Sequence, residues 1–566
     1  MKKHHIYLMI INAIILSLIY ATPSDALEND IINKEIRISI NGTLIDTAIS
    51  KPYMNNETNE LMIPIRKVLE SLEFDVIWLD ESREVYLELG NDKIKIKIDE
   101  NTYQFQNDIT AMNDNFEIIE GRSFATSNFF EKVLNVNIDY HKNNGFVIIS
   151  EKEPYYLEKN EIDKVDRKLW DDTIKTYLSS ELWTDRDAYD AGHYLMIPLH
   201  TAFKYNEEEW KNQFSEHFHK FVEEYKSDTN NIVKGRIDRL QYMYLASQFV
   251  VLCENTNNSY LIPDGLVDIL NNEIYDIWIN EPAWQWGRDP FEGGMKERLN
   301  WKLNNKYFDK SYYKAIIDEE FFTLAIAADL YTSENLVRGT DNSSKFKSEI
   351  MNYVQIIFEQ EGIFREDGTW LFQPGVRSQH NDYIYAGNIK KSNNIKPSPI
   401  ENIASDTSHS HRFPLWINSF INAYESNGDS EKVALFLKVR NGLEKQFYEN
   451  VIVKPTEEFN GYRTNNFMDG NNGIYRWNYP TQGQGNGYGP YELSGTLTLG
   501  WWSLLKSERI NQVYYEMASK FPLTENVINV YVGPNTTRDR HDLVTMPNSF
   551  YNGVTELICR LASKIY

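Results

Sequence analysis

At about residue 150 the hydrophobic pattern of this chain changes period, so no single fold class accommodates both parts. From Glu35 to Ser150 apolar residues come in short alternating runs separated by Asn, Asp and Gly, the signature of half-buried strands. Ile36, Ile38 and Ile40 alternate with Arg37 and Ser39, then enter Asn41-Gly42, a dipeptide suited to a tight hairpin turn. Lys93 to Ile98 alternates in the same way, and a short helix is predicted from Pro64 to Leu72, with proline where a missing N–H costs nothing. The region also repeats itself. Leu72, Phe74, Val76, Trp78, Val85 and Leu87 are answered 62 residues later by Leu134, Val136, Ile138, Tyr140, Val147 and Ile149. Matching positions over a helix, a strand, a turn and a second strand predict a duplicated small α+β unit.

Asn41-Gly42, Leu61-Met62-Ile63-Pro64-Ile65-Arg66, Glu70-Ser71-Leu72 and Val76-Ile77-Trp78 resemble the pattern NG…(L/V)VPLR…EALG…V.W. That pattern is the copper amine oxidase N-terminal-like domain, usually built of two repeats on secreted bacterial proteins. The resemblance covers residues 33–150 and implies a non-catalytic appendage. The second copy departs from it, with Thr126-Ser127-Asn128 in place of the VPLR-type core. His141 is the only histidine of this region and reads as structural, so no copper, and no other metal or cofactor, is expected.

Ahead of this region Lys2-Lys3-His4-His5 precedes an apolar run from Ile6 to Tyr20, with Ala21 or Ala26 as cleavage position. Residues 1–26 therefore read as a signal peptide, and the mature chain as secreted or cell-surface associated. No later segment has the length of a membrane span, so no integral span is expected after signal removal. The net charge of −24 argues against nucleic acid as a partner, and it means that a polyanionic substrate would need a locally basic cleft. Cys253 and Cys559 read as two buried free thiols.

Beyond a linker at 151–160 the period becomes helical. Amphipathic stretches fall at about 188–204, 207–226, 231–254, 263–280, 311–332, 343–361, 411–426, 430–449, 491–506, 508–520 and 549–564, with further helices near 160–180 and 292–306. A strand pair is expected near 526–547. The fold class is thus multidomain: a small duplicated α+β N-terminal domain, then a large all-α domain at 161–566 of the α/α-toroid type, carbohydrate-active, with loops at one end forming a cleft.

Three loop segments carry the candidate chemistry. Asp367–Asn388 combines Arg377, His380, Asn381, Tyr383 and Tyr385 among glycines: a base, proton carriers and a cation. Ser405–Arg412 holds Asp406, His409, His411 and Arg412; Asp406 reads as the N-cap of the helix bearing Phe413 and Trp416. The two histidines are two apart, poor spacing for a shared metal. Tyr462–Glu492 is rich in Asn, Gly and aromatics, and Asn466, Asp469, Arg476, Trp477, Tyr488 and Glu492 suit a hydroxyl-rich ligand, a polysaccharide or cell-wall glycan.

The first segment resembles the DGS(F/Y)…QH…YxGxYG stretch of the hyaluronate and chondroitin lyases over about twenty residues. The resemblance implies β-elimination, with His380 on the family's catalytic histidine and Tyr385, or Tyr383, on its tyrosine. The family's NWW asparagine has only Asn300-Trp301 or the Trp284–Pro290 stretch to answer it. Arg377, Arg412, Arg463 and Arg476 would supply the basic cleft. Two alternatives stay open. A glycoside hydrolase would use paired carboxylates among Asp382, Asp406, Asp469 and Glu492, about 5 Å apart for retention or about 6.5–9.5 Å for inversion. A non-catalytic glycan or cell-wall binder would keep the aromatic cleft and need no acid or base.

Overall fold

The computed structural model describes residues 35–565 except 80, 90–91, 99–101, 106–107, 112–115, 135, 152–156, 158, 228–230, 287, 339–344 and 535–538. The signal peptide read over residues 1–26, and part of the linker at 151–160, lie outside the described residues. Two compact units divide at Glu153–Pro154.

In the first unit the alternating runs become strands as expected. β1 (Arg37–Ile40) turns at Asn41 and Gly42, both with positive φ of 47° and 79°, into β2 (Thr43–Ile45). β3 (Tyr53–Met54) and β4 (Leu61–Pro64) lead into helix α1 (Ile65–Ser71), which has Pro64 at its N-cap. A five-stranded antiparallel meander follows, β5 (Asp75–Leu79), β6 (Glu84–Leu89), β7 (Asp92–Lys97), β8 (Thr102–Phe105) and β9 (Asp108–Ala111). The second copy brings β10 (Phe116–Ile119), β11 (Arg122–Thr126), helix α2 (Ser127–Leu134), β12 (Val136–His141) and β13 (Phe146–Glu151).

The repeat extends to strand register. Val76 faces Leu87 and Trp78 faces Val85 across β5–β6, and 62 positions on Ile138 faces Ile149 and Tyr140 faces Val147 across β12–β13. The two copies share one core. β11 of the second copy pairs with β4 of the first, β13 pairs in parallel with β1, and Ile38, Ile63, Val68, Phe129, Phe130 and Ile149 are buried together. His141 is buried with Nε2 2.9 Å from Asp139.

The second unit is helical, with short strand pairs Gly362–Phe364 with Trp370–Phe372 and Ile452–Val453 with Arg463–Thr464. Its first helix, α3 (Lys164–Asp172), starts at a capping box in which the Asp163 side chain accepts from Asp166 N–H and Asp166 answers Asp163 N–H. Helices Asp185–Tyr194, Arg236–Asn255, Asp318–Arg338 and Phe413–Ser426 pack each on the next. Arg236–Asn255 and Phe413–Ser426 bury residues around most of their circumference, which marks them as interior. Gly192 permits one close crossing, because a Cβ there would meet Gln241 Cγ at 2.5 Å. Glu208–Lys226 lies outside them with a single buried face, its Trp210 stacked on Trp170 at 3.8 Å between ring centroids.

Two expectations are corrected. Residues 525–532 form a helix, where the expectation is a strand pair near 526–547; the buried Val527, Ile528 and Tyr531 follow helical spacing. The stretch 491–506 is helical only as two 3₁₀ pieces, Ser494–Leu499 and Trp501–Leu505, interrupted by Gly500 at φ 80°. Cys253 and Cys559 are both buried free thiols.

The last helix, Val554–Ala562, returns to the first. Arg560 Nε donates to Asp166 Oδ1 at 2.6 Å, its terminal nitrogen donates to Asp163 at 2.7 Å, and Lys564 donates to Asp166 Oδ2 at 2.5 Å. Asp166 is fully buried and Arg560 and Lys564 are 1% exposed, so removing one partner strands the others in a medium that solvates charge poorly. Arg560→Met is expected to destabilise this unit by roughly 3–5 kcal/mol, read from chemical denaturation. A second expectation concerns pH. His217 is buried between the Leu178 carbonyl, 2.8 Å from Nδ1, and the Tyr242 hydroxyl, 2.9 Å from Nε2. Burial pushes its pKa down to about 4 against the weaker opposing pull of that carbonyl. The fold therefore favours neutral His217, a contribution complete above the unfolded pKa and lost as pH falls towards the folded value. The stability advantage of the wild type over His217→Gln should accordingly shrink between about pH 7.5 and about pH 4.5.

Candidate functional site

The three loop segments converge because their backbones interlock. Arg476 N–H donates to the Asp382 carbonyl at 3.0 Å, Ile474 N–H to Asn388 at 2.8 Å and Thr407 N–H to Asn466 at 2.9 Å. Gly473 makes this approach possible, since a Cβ would lie 1.6 Å from the Ala386 carbonyl oxygen. Beneath the loops Tyr383, Ala386, Ile403, Phe467, Tyr475 and Leu493 form a small core of their own.

At the centre is Asp406, fully buried. Its side chain caps the single-turn helix Thr407–Ser410 by accepting His409 N–H at 3.1 Å, and so does not cap the helix bearing Phe413, which starts separately with Pro414 in its first turn. The same carboxylate accepts the Tyr383 hydroxyl at 2.6 Å, the Ser408 hydroxyl and His409 Nδ1 at 2.8 Å. Burial alone would raise the Asp406 pKa; the charge and hydrogen bonds of His409, with Ser408 and Tyr383, outweigh it and hold the carboxyl far below the usual range. Asp406 thus fixes the His409 ring with Nδ1–H inward, leaving Nε2 on the open side, 3.9 Å from Asp318.

His409 and Arg476 line three adjoining cavities, which makes them the hub of one cleft. The first cavity, about 220 Å³, adds Trp286, Tyr312, Arg377, His380, Asp382 and Tyr475. The second, about 190 Å³, adds Tyr189, Arg412, Tyr488 and Glu492, and the third, about 1150 Å³, adds Asp238, Asp318 and Tyr479.

His380 sits with its ring centroid 4.9 Å from Tyr312 and 5.4 Å from Trp286. Its Nδ1 accepts Asp382 N–H at 3.2 Å, so the proton resides on Nε2. Burial pushes its pKa down; Asp382 opposes this, and Arg377 and Arg476 reinforce it. The two cleft histidines therefore have opposite tautomers, His409 presenting an acceptor and His380 a donor.

The cations differ in availability. Arg476 Nε binds Asp382 Oδ2 at 2.9 Å. Arg412 is buried, with its guanidinium engaged by Asp318, Tyr189 and His193 Nε2, the last at 3.1 Å. Arg377 donates to the Ile316 carbonyl at 2.8 Å and forms no ion pair among the described residues.

Other expected site residues lie elsewhere. Tyr385 packs towards Trp477, with centroids 6.5 Å apart, and neither lines the cleft cavities. Asn381 is exposed and also outside them. Asn466 is wholly buried, donating to the Gly473 and Gly489 carbonyls at 2.9 and 2.8 Å. Asp469 accepts Ala404 and Asn471 N–H groups, both at 3.0 Å, and shapes its own turn. Glu492 reaches the second cavity but pairs with Lys391 at 2.7 Å. Asn300 accepts the Tyr353 hydroxyl at 2.7 Å, and Arg463 stacks on Phe459 and Tyr491; neither lines the cleft cavities.

Sequence reading missed Tyr189, His193, Trp286, Tyr312 and Asp318 as cleft residues. Tyr189 and His193 stand four apart on one helix, a same-face spacing that carries the signal in principle. Asp318 opens its helix among Glu319 and Glu320, where acidic residues are ordinary partners of the helix dipole.

Residues 39–149 match the family model of the copper amine oxidase N-terminal domain, so the first unit is such a domain. Comparison with curated proteins and with solved structures gives no match. Among the described residues no group of three or more His, Cys, Asp or Glu is placed to hold a metal ion.

The tautomers are directly measurable. Side-chain ¹⁵N spectra of histidine-labelled protein should show Nδ1–H for His409 and Nε2–H for His380, and Asp406→Asn should abolish the single-tautomer signature of His409 while leaving that of His380.

Proposed function

We propose that the helical unit is an α/α toroid whose cleft cleaves a uronic-acid-containing polysaccharide by β-elimination, in a chain exported from the cell. The observation that carries this reading is the pairing of His409, anchored through Nδ1 by buried Asp406, with an ion-pair-free Arg377 in the same cavity. Abstraction of the proton at C5 of a uronate builds negative charge on the adjacent carboxylate, and a fixed cation lowers that cost. Arg377 fits that role. His409 Nε2 takes the C5 proton, the C4–O4 bond breaks as the C4=C5 double bond forms, and the proton on Nε2 passes to the departing O4. His380 Nε2–H serves as a neutral hydrogen-bond donor to the substrate. Trp286 and Tyr312 offer faces on which sugar rings stack.

These roles move the base from His380, where the resemblance put it, to His409. Tyr383 is 4% exposed and its hydroxyl is held by Asp406, so it acts by positioning. Hydrolysis by two carboxylates is less well supported. Asp406 is sealed from solvent, Asp382 is paired with Arg476 and Asp318 with Arg412, and cation pairing opposes the protonated acid that hydrolysis needs.

The test incubates the mature protein with a panel of uronate polysaccharides, following ultraviolet absorbance of the new double bond with reducing ends in parallel. His409→Ala and Arg377→Met should each lower the absorbance rate by about 10²–10⁴-fold, and Tyr385→Phe should leave it unchanged. Reducing ends without absorbance would establish hydrolysis instead. Silence in both assays, with retained glycan binding, would favour a non-catalytic binder.

A further inference from the structure

The cavity of the N-terminal unit stands apart from this chemistry. It measures about 320 Å³ and is walled by Val76, Trp78, Val85, Pro64 and Ile118, with Arg66, Lys67 and Arg122 among its polar lining. Among the described residues no carboxylate lines it, in a chain whose net charge is −24. Arg66 is exposed and Lys67 half-buried, and neither forms an ion pair among the described residues. Arg122 meets the exposed Glu120 at 3.4 Å, a weak surface pair.

The internal duplication indicates which of these residues the fold itself requires. At the 62-residue offset Val76 and Val85 become Ile138 and Val147, apolar in both copies as the shared core demands. Over the helix the buried pair Val68 and Leu69 is answered by Phe129 and Phe130, one residue short of that offset, so Arg66 and Lys67 fall on Ser127 and Asn128. Trp78 becomes Tyr140. A helix of the same kind on the same core thus forms without either cation.

We propose that this cavity is a glycan-binding site for a carboxylate-bearing sugar unit, with Trp78 supplying a face for the ring and Arg66 and Lys67 pairing with the carboxylate. An indole beside two uncompensated cations is suited to a ligand that is flat, apolar on one face and anionic at its edge. The choice of a carboxylate over another anion rests on the uronate reading of the helical cleft; the binding site itself does not.

The test is affinity electrophoresis of the full chain in gels containing polygalacturonate, poly(glycerol phosphate) or uncharged dextran. His409→Ala serves as the background throughout, so that the readout is binding and is independent of any turnover. Arg66→Asn with Lys67→Gln, and separately Trp78→Tyr, should each weaken retardation by polygalacturonate by about tenfold, with dextran inert. Trp78→Tyr installs the residue that the second copy carries at the matching register, and Arg66 is exposed, so folding, checked by thermal unfolding, is retained. Unchanged retardation in both variants would overturn the site. Equal, variant-sensitive retardation by poly(glycerol phosphate) would overturn the carboxylate assignment. A chain with His409 intact that is inactive in elimination, while the His409→Ala chain is still retarded through Arg66 and Lys67, would sink the cleft reading and leave this one standing.

Discussion

The helical unit depends on a cluster of four charges, three of them buried, that ties its beginning to its end. Asp163 and Asp166 precede and open the first helix, while Arg560 lies in the last helix and Lys564 just beyond its end, some four hundred residues on. Buried charge is costly without its complement, so this cluster contributes less through net attraction than through the penalty of any arrangement that parts it. Elsewhere in the unit the Arg412 guanidinium bridges the helix bearing Tyr189 and His193 to Asp318.

The same logic recurs on a smaller scale at Asp406. A carboxylate sealed from water accepts hydrogen bonds from a tyrosine, a serine, a backbone amide and a histidine ring, and each donor is thereby fixed in direction. The accessible chemistry belongs to His409, whose outward nitrogen is defined by what its inward nitrogen does. Asp382 works in parallel: its backbone N–H sets the tautomer of His380 while its side chain holds Arg476. Asp406 and Asp382 in this cleft thus orient other groups.

Much of the architecture was legible in the chain. The 62-residue offset anticipated both the duplicated unit and its strand register, because a strand pair with one buried face admits only one alignment of its apolar positions. Most helices fell where the 3.6-residue period put them. The misreadings have a common origin. In Glu525–Val532 the β-branched residues favour a strand locally, while Val527, Ile528 and Tyr531 find their burial as a helix. Residues 491–506 were read as one helix, but Gly500 breaks the run where Ile197, Ile558 and Ala562 crowd the backbone.

For the site, the sequence by itself determined which loop segments carry imidazoles, guanidinium groups and carboxylates, and it singled out Asp406, His409, His380, Arg377 and Arg476. It could not rank them, since rank depends on solvent access and on partners far along the chain. Asn466 and Asp469 have the composition of ligand-binding residues, yet their polar atoms are consumed by carbonyls and amides of the loops they brace. Asp318, Tyr189 and Trp286 look ordinary locally and become part of the cleft only because helix packing carries them to His409 and His380. Residue type is a local property, whereas burial and hydrogen-bond partnership belong to the assembled fold; the chain named the chemistry available, and tertiary packing decided which nitrogen faces the cleft.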